Sequence, residues 1–347
     1  MNLKKIVLAV ALLGVIIGGI IVYNIYTAIF SPNTAFNNEN AYVYIPTGAG
    51  FGEVKKQLTP LLKNINSFES VAKRKGYTKN VKAGKYSIEK GMNNNEIINT
   101  LRSRNLPVKV SFNNQENIGR LAGRIASQIE ADSISLVKVM NDSVFLSENG
   151  LSEETKLSVY IPNSYEFFWN TPAVKFRERM LSEYQRFWNQ ERIEKALQLG
   201  LSPTEVITLA SVVQKETAKV DERSRVAGVY LNRLRKNMLL QADPTVIYAI
   251  KKHTGNYDTI IKRVLYKDLE LDSPYNTYKY AGLPPGPITM PDISSIDAVL
   301  NAEKHDYYYF VANVQEFGYH KFAKTLSQHN VNKQEYVHWI NSQNIKR

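Results

Sequence analysis

The 347-residue chain has no cysteine. Disulfides, thiolate nucleophiles, Cys-based zinc or iron–sulfur sites and a lipid-modified N-terminal cysteine are therefore all excluded. Histidine is scarce, and residues 253, 305, 320, 329 and 338 show no tight metal-ligand spacing, so no metal or other cofactor is expected. There is no Gly-rich phosphate loop, no zinc-finger spacing and no RNP-like run. A nucleophile-elbow motif is also missing, as is any repeat period. The net charge of +12 points to an anionic neighbour. Its basic residues are scattered, however, and the densest run, "KRKGYTKNVKAGK" (73–85), reads as a solvated face, so no nucleic-acid partner is expected.

Charge is likewise missing from Ile6 to Phe30, where most positions are Ile, Leu, Val, Ala or Gly. Such a run spans the roughly 30 Å hydrocarbon core as a helix. Lys4 and Lys5 precede it, which places a short tail (1–5) in the cytoplasm and the remainder across the membrane. Without a good small-residue cleavage site before Pro32, a retained single-pass inner-membrane anchor over 6–30 is favoured over a signal peptide. Residues 31–40, "SPNTAFNNEN", read as a polar linker.

From there the pattern predicts an α+β protein. Residues 41–106 read as a small β-α-α-β-α domain, 107–155 as a strand followed by helices, and 156–347 as a mixed α/β domain. Within the last, a long amphipathic helix is expected over roughly 173–190, and others over 203–216 and 222–237. Ser202-Pro203-Thr204-Glu205 supplies an N-cap, a proline at the first helical position and a capping-box glutamate. Residues 273–291, with five prolines and two glycines, form a stiff loop, and 306–313 a strand.

The helix that begins at Pro203 carries a carboxylate on the wrong side. At 100° per residue Val206, Leu209, Ala210 and Val213 share a face, and Glu216 falls inside that apolar arc while Lys215 points away. Burial and the negative end of the helix dipole both raise a carboxyl pKa towards neutrality, which suits a general acid. The competing reading is a buried salt bridge to Arg223, Arg225 or Arg233. Asp243, just before Pro244, reads as an N-cap, and Asp221, Glu222 and Asp292 as end-of-helix residues. His320 and His329 are candidate substrate contacts. Tyrosine is abundant (21 against three Trp), and clusters such as "YNTYKY" offer rings with hydroxyls for stacking on sugars.

The stretches "LASVVQKET", "ERSRVAGVYLNRLRKNMLLQADPTVIYA", "SPYNTYKYAGLPPGPI" and "YYYFVAN…GYHKFAKTLSQHN" resemble, in order and spacing, the endolytic murein transglycosylase (MltG, YceG-like) family. The resemblance implies a LysM-like domain over 41–106, marked by "VKAGKYSI", and a catalytic domain over 156–347. It implies cleavage of MurNAc–GlcNAc β-1,4 bonds in nascent peptidoglycan strands, leaving 1,6-anhydro-MurNAc ends, with synthases as neighbours. The family motif often has two glutamates flanking a lysine, the second catalytic. That position is Glu216 here, and the first is Gln214. By the same resemblance Asn232, Arg233, Gln241, Asp243, Tyr275, Asn276, Thr277 and His320 are substrate-binding candidates. Leu157 and Asn163 depart from the family, standing where acidic residues are common. The competing functions are a glycan-binding scaffold without chemistry and a hydrolase that makes reducing ends.

Overall fold

The computed structural model describes residues 3–342. Residues 1–2 of the expected cytoplasmic tail and 343–347 lie outside it. Helix α1 (Leu3–Phe30) starts three residues earlier than the apolar run suggests, because Lys4 and Lys5 are also helical. Among the described residues it is the one single helix long and apolar enough to cross a membrane.

Two compact units follow the α+β pattern. The smaller contains α1, β1 (Asn40–Ile45), α2 (Phe51–Leu58), α3 (Ile65–Arg74), β2 (Gly84–Glu89) and α4 (Asn94–Ser103). The two strands are antiparallel, from Asn40 opposite Glu89 to Ile45 opposite Gly84. Alternation puts Val43, Ile45, Tyr86 and Ile88 on one face, where they pack with Phe68, Val71, Ile97 and Leu101 from the helices. Helix α4 begins with a full capping box between Asn93 and Glu96.

Residues 31–40 are not a free linker. Asn33 and Thr34 are buried, with backbone bridges pairing Pro32 with Asn93 and Thr34 with Leu62. The Asn33 amide donates to Asn94 Oδ1 (2.7 Å), and Asn94 Nδ2 donates to the Ala28 carbonyl (2.8 Å). Most of this polar segment is exposed, but Asn33 and Thr34 turn into the unit, where buried polar groups must find partners.

Strands β3 (Pro107–Phe112) and β4 (Asn163–Phe168) pair with each other, and the division between the units falls within both. The larger unit holds α5 (Ile118–Ala126), α6 (Ser133–Met140), α7 (Ser143–Glu148), α8 (Ala173–Phe187), α9 (Gln190–Leu199), α10 (Pro203–Glu216), α11 (Arg223–Arg235), α12 (Asp243–Thr254), α13 (Ile293–Leu300), the hairpin β5 (Tyr309–Ala312) with β6 (His320–Ala323), and α14 (Leu326–Ser342). The single helix expected over 173–190 is broken. Asn189 accepts from Arg192 N (3.0 Å) and caps a new helix, α9.

Helix α10 is the core of this unit. Its capping box (Ser202 with Glu205) and Pro203 are in place, and every residue from Val206 to Val213 is buried. Helices α9, α11, α12 and α13 surround it, and Leu209, Val212, Val213, Val226, Tyr230 and Val299 share one apolar cluster. Gly228 allows close packing on α11. A methyl group there would meet the Glu303 carbonyl at 2.4 Å. The proline-rich loop 273–291 is fastened down in three places. The Asn276 amide donates to the Leu269 and Leu271 carbonyls, Ile288 N donates to Ser211 Oγ (3.0 Å), and Met290 N donates to the Gln115 carbonyl (2.9 Å).

Candidate active site

Glu216 is the last residue of α10, one position before its C-cap, Thr217. It lines a cavity of about 270 Å³ together with Tyr230, Arg233, Leu240, Gln241, Asp243, Tyr278, Phe310 and His329. Glu216 keeps some surface of its own through this cavity. Protein nevertheless surrounds the carboxyl on the scale that governs ion solvation. Burial pushes its pKa up to about 7, and the Asp243 carboxylate adds to the rise. The Tyr230 hydroxyl, 2.7 Å from Oε1, and the charges on His320 and Arg233 pull the other way. Burial wins because the donor is itself buried and neutral, so it replaces only a fraction of the lost hydration.

No arginine is paired with Glu216 among the described residues. Arg223 faces Asp292, Arg225 faces Glu303, and Arg233 donates to the carbonyls of Tyr308 (2.6 Å) and Leu240 (2.7 Å). Its guanidinium therefore acts on the cavity through charge and shape while its hydrogens hold the backbone around it. Lys215, on the far side of the helix, pairs with Glu116 at 3.0 Å. Gln214 Oε1 accepts from Asp292 N (2.6 Å) and Ser295 Oγ (3.0 Å), so this position ties α10 to α13 and stays out of the cavity.

Asp243 is not an N-cap. Ala242 occupies that position, and Asp243 is already helical. Oδ1 instead accepts from the Tyr278 hydroxyl at 2.6 Å. Gln241 beside it has a left-handed backbone (φ 50°), a conformation costly for a residue with a side chain and often found at functional sites. Thr277 holds that bend in place. Its carbonyl accepts from Gln241 N (3.1 Å) and its hydroxyl from Ala242 N (3.0 Å), while Thr245 Oγ1 lies 2.8 Å away.

The remaining expected substrate contacts lie elsewhere. Asn276 and Thr277 are fully buried and committed to backbone, and Tyr275 is buried against Tyr248 (ring centroids 4.8 Å apart). None of the three lines the cavity. Asn232 donates to the carbonyls of His305 and Tyr307 and tethers α11 to the segment before β5. His320 does not line the cavity, but its ring packs edge-on against Phe310, which does (ring centroids 5.0 Å apart). Glu222, also expected to work at a helix end, is buried here and accepts from both the His320 backbone N–H (2.7 Å) and Nδ1 (2.8 Å). Burial works against its charge, yet these bonds from His320 leave its pKa below the usual carboxylate range. Leu157 is buried, and Asn163 sits exposed at the start of β4. Their side chains are not part of the cavity.

Tyr230 and Tyr278 were not singled out in the sequence, although Tyr278 belongs to the "YNTYKY" cluster. The signal for Tyr230 is an indirect one: it lies on the inner face of α11, opposite the acid. His329 stacks on Tyr309 (5.3 Å). Burial, together with Lys333 and Arg233, lowers its pKa, which keeps the ring neutral at physiological pH.

A carboxylic acid that holds its proton near neutral pH, in a polar cavity walled by tyrosines, is suited to protonating a leaving oxygen on an uncharged, hydroxyl-rich ligand. Residues 43–335 match the YceG-like family, and the chain belongs to it. It is 31% identical over 348 residues to the endolytic murein transglycosylase of Bacillus subtilis (strain 168), with 93% of this chain and 91% of that protein aligned. It is 29% identical to the protein of the same name from Streptococcus pneumoniae, covering 92% of this chain but 62% of that longer relative. The fold is similar to the crystal structure of a yceG-like protein from Listeria monocytogenes, with a TM-score of 0.56 at 30% identity, covering 85% of this chain and 99% of that one.

Proposed function

We propose that the chain is a membrane-anchored lytic transglycosylase. It cuts MurNAc–GlcNAc β-1,4 bonds inside peptidoglycan strands and leaves 1,6-anhydro-MurNAc ends. The observation that carries this reading is Glu216, an acid with a pKa of about 7 at the wall of a cavity. In its protonated form Glu216 donates to the glycosidic oxygen as the C1–O bond breaks. Its carboxylate then accepts the proton of the muramic C6 hydroxyl, which closes on C1 of the same sugar. Acid and base are one group, so the enzyme returns to its starting protonation state without consuming water. The names of the relatives support the substrate class, and helix α1 supports anchoring in the inner (cytoplasmic) membrane. With Lys4 and Lys5 ahead of α1, the N-terminus is assigned to the cytoplasm and the residues after α1 to the periplasmic side. Residues 41–106 are read as a LysM-like module. The cut is assigned to nascent strands, close to the synthases, where it ends glycan elongation.

The test is mass spectrometry of uncrosslinked glycan incubated with the detergent-solubilised chain. Products one water lighter than hydrolysis products are expected from the parent, and none from Glu216→Gln. Reducing-end products, or unchanged activity in the variant, would overturn the proposal.

A further inference from the structure

Breaking a glycosidic bond builds positive charge on the sugar ring, and glycosidases commonly meet it with a second carboxylate. Glu216 is occupied with the proton transfer and becomes an anion only as that bond breaks. We propose that Asp243 is the second carboxylate of this site, an anion that contacts the reacting sugar and balances the oxocarbenium-like charge without exchanging a proton. The inference rests on the transglycosylase reading above.

Four observations carry it. Asp243 lines the same cavity as Glu216. It is the first residue of α12, with Ala242 as the N-cap before it, so its carboxylate is not the cap of that helix. It is aimed, with Oδ1 fixed by the Tyr278 hydroxyl at 2.6 Å. The backbone that carries it is also over-determined, since Thr277 and Thr245 brace the left-handed Gln241 and Ala242 immediately before it. Preorganised charge facing the place where charge develops is the largest single contribution available to many active sites.

The two carboxyls divide the work. The Glu216 proton goes to the departing oxygen as C1–O breaks. The C6 oxygen then forms its bond to C1 and gives its proton to Glu216, and Asp243 takes no part in the proton transfer. Its charge also helps to keep Glu216 protonated beforehand. The groups that face Glu216 are Tyr230, Arg233, Asp243, Tyr278 and His320, with His329 on the cavity wall. Tyr278 is a positioning residue that acts through Asp243.

The test is steady-state kinetics of Asp243→Asn, Tyr278→Phe and the double variant on uncrosslinked glycan, with Glu216→Gln alongside. Asp243→Asn is expected to lower kcat on the order of 100-fold or more with KM little changed, and to shift the basic limb of the pH–rate profile downwards. Tyr278→Phe should cost less, and nothing further in the Asp243→Asn background. Circular dichroism and the thermal melt check folding, and Asp243→Glu should retain part of kcat if a folding defect obscures Asp243→Asn. A kcat for Asp243→Asn within about threefold of the parent, or a loss confined to KM, overturns the proposal. If Glu216→Gln is inactive and the parent makes anhydro ends, that failure belongs to Asp243 alone. An active Glu216→Gln instead brings down the underlying reading.

Discussion

Replacing Glu216 by Gln should make the protein more stable at alkaline pH while removing its chemistry. Glutamine keeps the volume of the side chain and an oxygen to accept from Tyr230, but it cannot ionise. In the parent, burial moves the carboxyl from 4.5 to about 7, and each pKa unit is worth about 1.4 kcal/mol. The folded protein therefore loses about 3 kcal/mol relative to its unfolded state as pH rises through that interval. The sign follows from proton binding. Below pH 4.5 both states hold the proton. Between 4.5 and 7 the unfolded chain releases it and the folded one keeps it. Above 7 the folded state carries a desolvated anion. Denaturant melts of the solubilised chain, parent against variant, at pH 4.5, 6 and 8 read this directly, because every other titrating group is common to both. The variant should gain about 3 kcal/mol on the parent across the series. A difference that stays flat with pH would show that Glu216 ionises like an exposed carboxylate, and the case for it as an acid would fail.

Tyr230→Phe removes the donor that steadies the ionised form of Glu216. A hydrogen bond to a charged group is worth about 1.5–3 kcal/mol, so the basic limb of kcat/KM should move up by roughly one to two pH units; an unmoved limb would exclude the bond from catalysis. Thr277→Val deletes the hydroxyl that Ala242 N and Thr245 share. It should lower kcat and cost about 1–3 kcal/mol in denaturant melts, whereas a fully active, fully stable variant would show that the Gln241 bend needs no brace. Gly286→Ala would push a methyl group to 2.1 Å from the Glu154 carbonyl. The melt should show a loss of at least about 1 kcal/mol from this overpacking, and a neutral outcome would mean that the loop is free to shift.

What is legible in this chain without its structure is whatever repeats within one element. The apolar run of α1, the Ser202–Glu205 cap and the position of Glu216 inside the apolar arc of α10 all follow from the composition or period of one helix and from local hydrogen bonds. Those are properties of neighbours a few positions apart. The break at Asn189 is local too, but a continuous amphipathic pattern on either side conceals it.

The composition of the cavity is of another kind. Tyr230 reaches Glu216 across 14 residues and Tyr278 reaches Asp243 across 35, through the packing of α11, α12 and the proline-rich loop. Asp243 before a proline looks like a cap, because the side chain that claims it comes from a distant loop. Tyr275, Asn276 and Thr277 look like sugar contacts for the converse reason. A polar residue in a loop appears free until folding shows which buried backbone groups it satisfies, and here burial leaves those amide and hydroxyl groups no other partners. The acid is set by the helix it sits on. Its partners depend on which distant side chains tertiary packing brings to a place that water has left.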